Sequence, residues 1–452
     1  MRISQLIERP VTLLGFGVEG QATLAALRRA GHRAPVTIWG DSAPPQELLR
    51  DAGASFVPQP QSVQAVERAA VMVRSPGFAP HHPLRRLADD LSFVQTTATD
   101  LFVHEARAAG LRVIGVTGSK GKSTTSTLIE RGLAAAGVAA ALVGNIGVPP
   151  LALLSQLIER QATVVMELSS YQCADLTLGP NVGLLLSLFP EHMDWHGDVA
   201  RYYAAKLRLL ATQRAGDRFY YSQSCSEAVA AVRAPSTAEV VGDERGFHFR
   251  DGHFCRGSTR LFSDQGMLLK GVHNRHNACC ALAVLDGLGV DPHVLTPVLS
   301  TFAGLPYRLQ DEGVNAGIRF LNDSISTAPE ATVAALAAFP QRPLALIVGG
   351  YDRGYDLAPL LSFLRADAAS ERPIAHVLAL PNTGHTLAAA MRAAGIPIPV
   401  SEVEDLCAAV RQAREALPGG GLCLFSPGAP SYGAYRDFAE RGRAFSQAVR
   451  GD

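Results

Sequence analysis

The residues best equipped for chemistry lie between Val113 and Thr125, which read Val-Ile-Gly-Val-Thr-Gly-Ser-Lys-Gly-Lys-Ser-Thr-Thr. An apolar run of strand character feeds a loop containing Gly118 and Gly121, and Lys122-Ser123 then open a helix. Such a loop turns its backbone N–H groups toward a polyphosphate, and the helix N-terminus adds its dipole. A lysine neutralises the β/γ charge and a serine hydroxyl can ligate Mg²⁺. Gly118, Ser119, Lys120, Gly121, Lys122, Ser123 and Thr124 are therefore candidate ATP-binding residues. The match to the general Walker pattern is partial, because Val116 stands where that pattern has its first glycine. Placement between an apolar strand and a helix favours a phosphate site over a plain turn. A second glycine turn, Gly15-Phe-Gly-Val-Glu-Gly20, also follows an apolar run and resembles a dinucleotide fingerprint. The acid that would bind a ribose diol should close the next strand, where Ile38-Trp39-Gly40-Asp41 offers only Asp41.

These loops need elements to hold them. Apolar runs at Val11–Leu14, Val36–Trp39, Ala70–Val73, Val113–Val116, Val164–Glu167, Gly183–Leu188, Leu344–Val348, His376–Leu380 and Leu422–Phe425 each lead into a Gly, Ser or Pro turn. Amphipathic helices such as Gln21–Ala30, Ser123–Ala136 and Ala331–Ala338 lie between them. Strand–turn–helix repetition predicts an α/β chain of parallel sheets covered by helices, with ligands at the C-terminal strand ends. At 452 residues the chain is too long for one core. Boundaries near Arg107–Leu111 and Leu309–Glu312 divide it into 1–107, 108–310 and 311–452. The segment from about Asp217 to Lys270, with short alternating pieces, could be an antiparallel sheet.

Composition limits the partners. Lys plus Arg equals Asp plus Glu, 41 each, so no global field favours nucleic acid or an anionic membrane. The N-terminus carries early charges and is not a secretory signal, and no uncharged stretch reaches membrane-spanning length. Seven scattered cysteines without CxxC spacing suit buried thiols in a reducing compartment. A cytoplasmic protein is expected.

Further polar stretches sit where a packed α/β chain would be bland. They are Gly144-Asn-Ile-Gly147, Glu167-Leu-Ser-Ser-Tyr-Gln172, Pro190-Glu-His-Met-Asp-Trp-His196, Tyr203-Ala-Ala-Lys206, His273-Asn-Arg-His-Asn277 and Asn322-Asp-Ser324. With the Gly118–Thr124 loop, their order and spacing along the whole chain resemble the Mur ligases. Ser75-Pro-Gly77 and the run Ser426–Phe438 followed by Arg441-Gly442 are most similar to the glutamate-adding type in that family. The resemblance implies three domains: N-terminal Rossmann-like, central P-loop ATPase-like and C-terminal Rossmann-like. It implies ATP-dependent joining of glutamate to UDP-N-acetylmuramoyl-L-alanine through an acyl phosphate, in peptidoglycan precursor synthesis, by a monomer.

It also implies roles. Lys122, Glu167, His192 and Lys206 would be catalytic, and Ser123, Glu167, His192 and Lys206 would surround two Mg²⁺ ions. A lysine ammonium repels a cation, but in the family the matching lysine is carbamylated and becomes a carboxylate. On residue chemistry alone Lys206 reads as a surface lysine. Asn274, Asn277, Arg308 and Asp323 match ATP-side positions, although Asn277 could equally be a helix N-cap. Gly17, Val18, Glu19, Ser75, Gly77, Asn145 and Ser169 match the UDP-substrate side. Trp39–Asp41 departs from the acid-and-arginine pattern expected for uracil.

Thr327, Arg353, Ser431, Tyr432 and Phe438 match the amino-acid site. Arg353 can supply a bidentate fork to an acidic side chain. Asn322-Asp-Ser-Ile-Ser-Thr327, with Ile325 where D-glutamate ligases tend to have lysine, is more similar to a branch that adds L-glutamate; D-glutamate is the alternative. A folylpolyglutamate-type ligase would lack the Gly15–Gly20 unit. A P-loop ATPase without ligase activity would not need Lys206 or Ser426–Phe438. A dehydrogenase built on Gly15–Gly20 leaves the Lys122 loop unexplained. Enclosing three substrates away from water predicts a mobile last domain.

Overall fold

The computed structural model describes residues 1–40, 43–44, 46–58, 71–90, 93–145, 148–269, 271–340, 343–352 and 356–451. The chain forms two compact units, Met1–Phe302 and Ala303–Asp452. The first unit begins with strands β1 (Val11–Leu14), β2 (Val36–Gly40), β3 (Ala54–Pro58), β4 (Val71–Arg74) and β5 (Val94–Thr97). They form a sheet of order β3-β2-β1-β4-β5 with every pair parallel. Parallel strands buried on both faces read as unbroken apolar runs, and all residues of β1 and β4 are buried.

A second sheet follows: β6 (Val113–Thr117), β7 (Ala140–Gly144), β8 (Thr163–Glu167), β9 (Val182–Leu185), β10 (Arg218–Ser222) and β11 (Thr237–Val241). Its order is β11-β10-β9-β6-β8-β7, again all parallel. One apolar core serves both sheets, running from Leu13, Leu27 and Val73 through Leu101 and Phe102 to Met166 and Leu209. The helix Ala98–Ala108 connects them; its Arg107 pairs with Asp217 of the second sheet's region at 2.9 Å, both side chains largely buried. The sequence boundary near 107 thus falls at a helix end inside one packed unit.

The expected antiparallel sheet between Asp217 and Lys270 is only partly present. Strands β10 and β11 extend the parallel sheet because Phe219 and Tyr220 bury against β9 and the helices below. Only β12 (Phe247–Arg250), β13 (His253–Arg256) and β14 (Thr259–Ser263) make an antiparallel meander. Residue 270 lies outside the described residues.

The second unit contains β15 (Gln310–Asn315), β16 (Ile318–Asn322), β17 (Leu344–Gly350), β18 (His376–Asn382), β19 (Val400–Glu402) and β20 (Gly421–Phe425). They lie in the order β15-β16-β20-β17-β18-β19, parallel except for the edge hairpin β15–β16. Apolar clusters cover both faces, one around Phe320, Phe425 and Phe445 and the other around Leu336, Leu346 and Leu387. Among the described residues no helix is long and apolar enough to cross a membrane. All seven cysteines are free, six of them buried.

Candidate active site

The second sheet's order decides which chemistry meets. Strands β9 and β8 flank β6, and β7 flanks β8, so the loops after all four leave one edge side by side. The loop after β6 turns into the helix Lys122–Ala135 through Gly121, at φ 86°. A side chain there would be strained in that region, and its Cβ would stand 2.5 Å from Asn277 Oδ1. Ser119 ties this loop to the one after β9. Its N–H donates to Ser187 O at 2.9 Å and its hydroxyl to Phe189 O at 2.9 Å, while Phe189 N–H donates back to Ser119 Oγ. Tyr202 OH lies 2.8 Å from the same hydroxyl. Lys120 is exposed and paired with Glu191 at 2.6 Å.

Two lysines converge on one carbonyl. Lys122 Nζ donates to Gly118 O at 2.9 Å and to Ser119 O at 3.1 Å. Lys206 Nζ, on the helix Val199–Ala211, donates to Gly118 O at 3.0 Å and is 2% exposed. The surface-lysine reading of Lys206 is therefore wrong. Helical spacing points it inward with Tyr202, over whose ring its ammonium sits at 4.9 Å. Burial and then the Lys122 charge lower its pKa to about 7.

Across the edge, Glu167 ends β8 and is 1% exposed. Asn145 Nδ2 donates to its Oε1 at 3.0 Å, while Oε2 is buried with no hydrogen-bond partner among the described residues. A buried carboxylate oxygen without a donor is costly unless a cation takes it, so Glu167 fits an oxygen-seeking metal. Ser123, 5% exposed in the first turn of the helix, supplies a hydroxyl. No group of three or more His, Cys, Asp or Glu side chains that could hold a metal occurs among the described residues. As an ammonium Lys206 does not fit a cation; as a carbamate it would. His192 has a left-handed backbone at φ 60° and its ring meets Tyr171 at 5.0 Å. Partial desolvation lowers its pKa, opposed by Glu191 and reinforced by Lys206 and Lys122.

Asn274 and Asn277 lie in the helix Val272–Gly287, whose N-cap is Gly271. Asn277 is thus in the second turn and is not a cap. Its side chain is buried beside Gly121 and donates to Asn274 Oδ1 at 3.2 Å.

The turn after β1 has Gly15 at φ 87°, where a Cβ would stand 2.6 Å from the Phe78 ring and 2.9 Å from Ser75 Oγ. Gly17 caps the helix Val18–Arg29, and Val18 is 71% exposed. Ser75 Oγ donates to Gly15 O at 3.2 Å, which places the Ser75–Gly77 turn against this loop. Ser169 caps the short helix Ser170–Cys173, and Gln172 of that helix donates to Glu19 Oε1 at 2.8 Å. Burial raises the Glu19 pKa against the lowering effects of Gln172 and Arg74. Asn145, matched to the UDP side, spends its amide on Glu167 because Gly144 and Glu167 are register partners. Asp41 lies outside the described residues.

In the second unit, Asp323 follows β16 and is buried. It accepts from Ser326 and Ser426 hydroxyls and from Leu309 N–H, and burial holds its pKa up to about 6. Arg308 is exposed and near enough to lower that value slightly. Ser431 is buried, whereas Thr327, Tyr432 and Phe438 are exposed. Tyr432 meets Tyr351 edge-on at 6.2 Å. Arg353 lies outside the described residues. Sequence reading gave no role to Arg441, 2% exposed, which donates to Ser324 Oγ, Ser324 O and Ala429 O and so fixes the turns around this patch. It also missed Tyr202 and the Arg74–Asp175 pair, and it gave Gln172, within a quoted polar stretch, no role of its own. For Tyr202 the signal was its i,i+4 spacing from Lys206.

Residues 116–285 match the model of the Mur ligase middle domain. The chain is 40% identical to a UDP-N-acetylmuramoyl-L-alanine–L-glutamate ligase of Xanthomonas oryzae pv. oryzae, covering 99% of this chain and 96% of that one. It is 38% identical to one of the same name from Salinispora tropica, over 100% and 99%. The fold is similar to the UDP-N-acetylmuramate-alanine ligase of Thermotoga maritima, with TM-score 0.56, 16% identity and coverage of 98% and 99%. It is also similar to the MurF ligase of that organism in complex with ADP, with TM-score 0.55, 15% identity and coverage of 100% and 97%. With full-length identity at this level and the phosphate-loop edge assembled as described, the chain belongs to the Mur ligase family.

Proposed function

We propose that this ligase joins L-glutamate to UDP-N-acetylmuramoyl-L-alanine, with ATP giving ADP and phosphate, in cytoplasmic peptidoglycan precursor synthesis. The observation that carries the chemistry is the pair of lysines on Gly118 O opposite the unshared oxygen of Glu167. The amino acid is supported by the names of the full-length relatives and by Ile325 in the Asn322–Thr327 run. The free thiols of all seven cysteines support a reducing compartment.

In this reading the alanyl carboxylate of the muramoyl substrate attacks the γ-phosphorus of ATP, and ADP departs. The amino group of glutamate then adds to the carbonyl carbon of the acyl phosphate. The tetrahedral intermediate collapses with loss of phosphate and of the proton carried by the amine. Loop N–H groups and Lys122 hold and neutralise the phosphates, so most of the rate comes from positioning and charge. Magnesium, held by Ser123, Glu167, His192 and a carbamylated Lys206, would screen the charge between the reacting oxygens. The lowered pKa of Lys206, about 7, leaves a large neutral fraction able to add CO₂.

Residues 1–107 would hold the sugar nucleotide, 108–310 ATP and 311–452 glutamate. Incubation with the three substrates and Mg²⁺ should yield a product heavier by one glutamyl residue. Chiral analysis after hydrolysis should return L-glutamate. Recovery of D-glutamate from a racemic feed would reverse the stereochemical half of the proposal. Absence of any glutamyl product would remove the whole.

A further inference from the structure

His192 and Trp195, at the two ends of one turn around the short helix Met193–His196, share Tyr171 as a neighbour and differ in their other contacts. At one end His192 faces the phosphate loop side, its ring 5.0 Å from Tyr171 and 6.2 Å from Tyr202. At the other end Trp195, 6% exposed, donates its indole N–H to Pro76 O at 3.1 Å. Pro76 is the middle of the Ser75–Gly77 turn matched to the muramoyl substrate. The contact joins residues far apart in sequence, from the first sheet's edge to the second's.

The receiving turn is itself held rigidly. Arg74, 1% exposed, donates through Nη1 to Ser75 O, Pro76 O and Phe78 O at 2.9, 3.2 and 3.2 Å. Its Nε donates to Asp175 at 2.8 Å, and its guanidinium lies 5.6 Å over the Trp195 ring. Trp195 also packs on Tyr171 at 4.8 Å, and neighbouring His196 bonds Ser170 Oγ at 2.9 Å. Both ends of the bridge are specified, and the span between them is a single helical turn.

We propose that Trp195 is a positioning residue that couples the Ser75–Gly77 turn, and with it the muramoyl substrate, to the phosphate-handling end of the same helical turn at His192. The proposal rests on the substrate assignment above. The coupling works by geometry: a substrate seated on the Pro76 turn fixes the indole, and the indole fixes the turn that carries His192. Linkage then requires each ligand to tighten the other by the same factor.

The test is the dissociation constant of UDP-N-acetylmuramoyl-L-alanine measured by calorimetry with and without Mg²⁺ and a non-hydrolysable ATP analogue. The native protein should bind it about 5- to 50-fold tighter with nucleotide present. Trp195→Phe keeps an aromatic ring on Tyr171 but loses the N–H together with part of the indole's volume, and its ratio should fall toward one. Arg74→Lys, which keeps the charge but cannot reach the three carbonyls and Asp175 together, should lower the ratio as well. It serves as an independent test if the first variant is poorly folded. A merely structural Trp195 would lower the melting temperature and leave the ratio as in the native protein, and that result would overturn the proposal. A native ratio of one would overturn it equally. Failure of the native protein to bind the muramoyl nucleotide at all would instead overturn the substrate assignment, and the coupling with it.

Discussion

The two glycine turns of the first unit start alike and end as different devices. Each follows a parallel strand, bends through a glycine at positive φ and opens a helix. The Gly118–Lys122 loop carries its own cation, and a second lysine reaches the same carbonyl from another helix. The Gly15–Gly20 turn carries a carboxylate, Glu19, and exposes the apolar Val18. The first is suited to stabilising charge that moves during a reaction. The second is suited to holding a ligand through backbone N–H groups while its side chain anchors the neighbouring sheet. A glycine turn between strand and helix shows that the backbone packs closely there; the side chains around it bear on whether a ligand and chemistry are suited to it.

This difference can be broken by substitution. Lys122→Ala should have the largest effect, lowering kcat/KM by about 10³-fold or more, measured by phosphate release. Next, Lys206→Ala should cost roughly 10²-fold. Added bicarbonate should raise the rate of CO₂-depleted native enzyme and leave the variant unmoved. A variant that responds to bicarbonate would contradict the carbamate. Smaller and opposite effects should follow at the two glycines. Gly121→Ala should raise the KM for ATP by about tenfold, on the order of 1.4 kcal/mol, with the muramoyl KM little changed. Gly15→Ala should do the reverse, because its Cβ would meet Phe78 and Ser75. If both variants changed the same KM, the division of labour between the turns would be wrong.

The smallest effect belongs to Glu19. Its folded pKa is raised by burial. Stability from this group is therefore fully present below the ordinary glutamate range and is lost as pH rises through the folded value. Glu19→Gln mimics the protonated form and keeps an acceptor for Gln172. At pH 8 it should melt slightly above the native protein, with the gap closing as pH falls to 4. A gap independent of pH would show that Glu19 is not strained by its charge.

The Lys122 loop was legible in the sequence because a glycine turn, a lysine and a hydroxyl are local features with few other uses in that order. The sheets were legible because strands buried on both faces must be continuously apolar. Strands β3, β5 and β7, less apolar or only partly buried, gave no such signal. What escaped depends on contacts between distant segments. Nothing local says that Trp195 N–H meets Pro76 O, that Tyr202 meets Ser119, or that Asn145 serves Glu167. Asn277 looked like a cap because it precedes an apolar run, but the N-cap is Gly271, six residues earlier, and Asn277 lies in the second turn. Lys206 was recognised only through the family, although its spacing from Tyr202, Ala205, Leu209 and Leu210 places it on the buried stripe of its helix.

Ligation of L-glutamate is proposed to run at the Lys122–Glu167 edge. Its most direct test is phosphate release from ATP with UDP-N-acetylmuramoyl-L-alanine, comparing L-glutamate with D-glutamate at equal concentration. Release that requires both the muramoyl nucleotide and L-glutamate, and stays at background with D-glutamate, is the expected result. Release with D-glutamate alone, or release that ignores the muramoyl nucleotide, would contradict it.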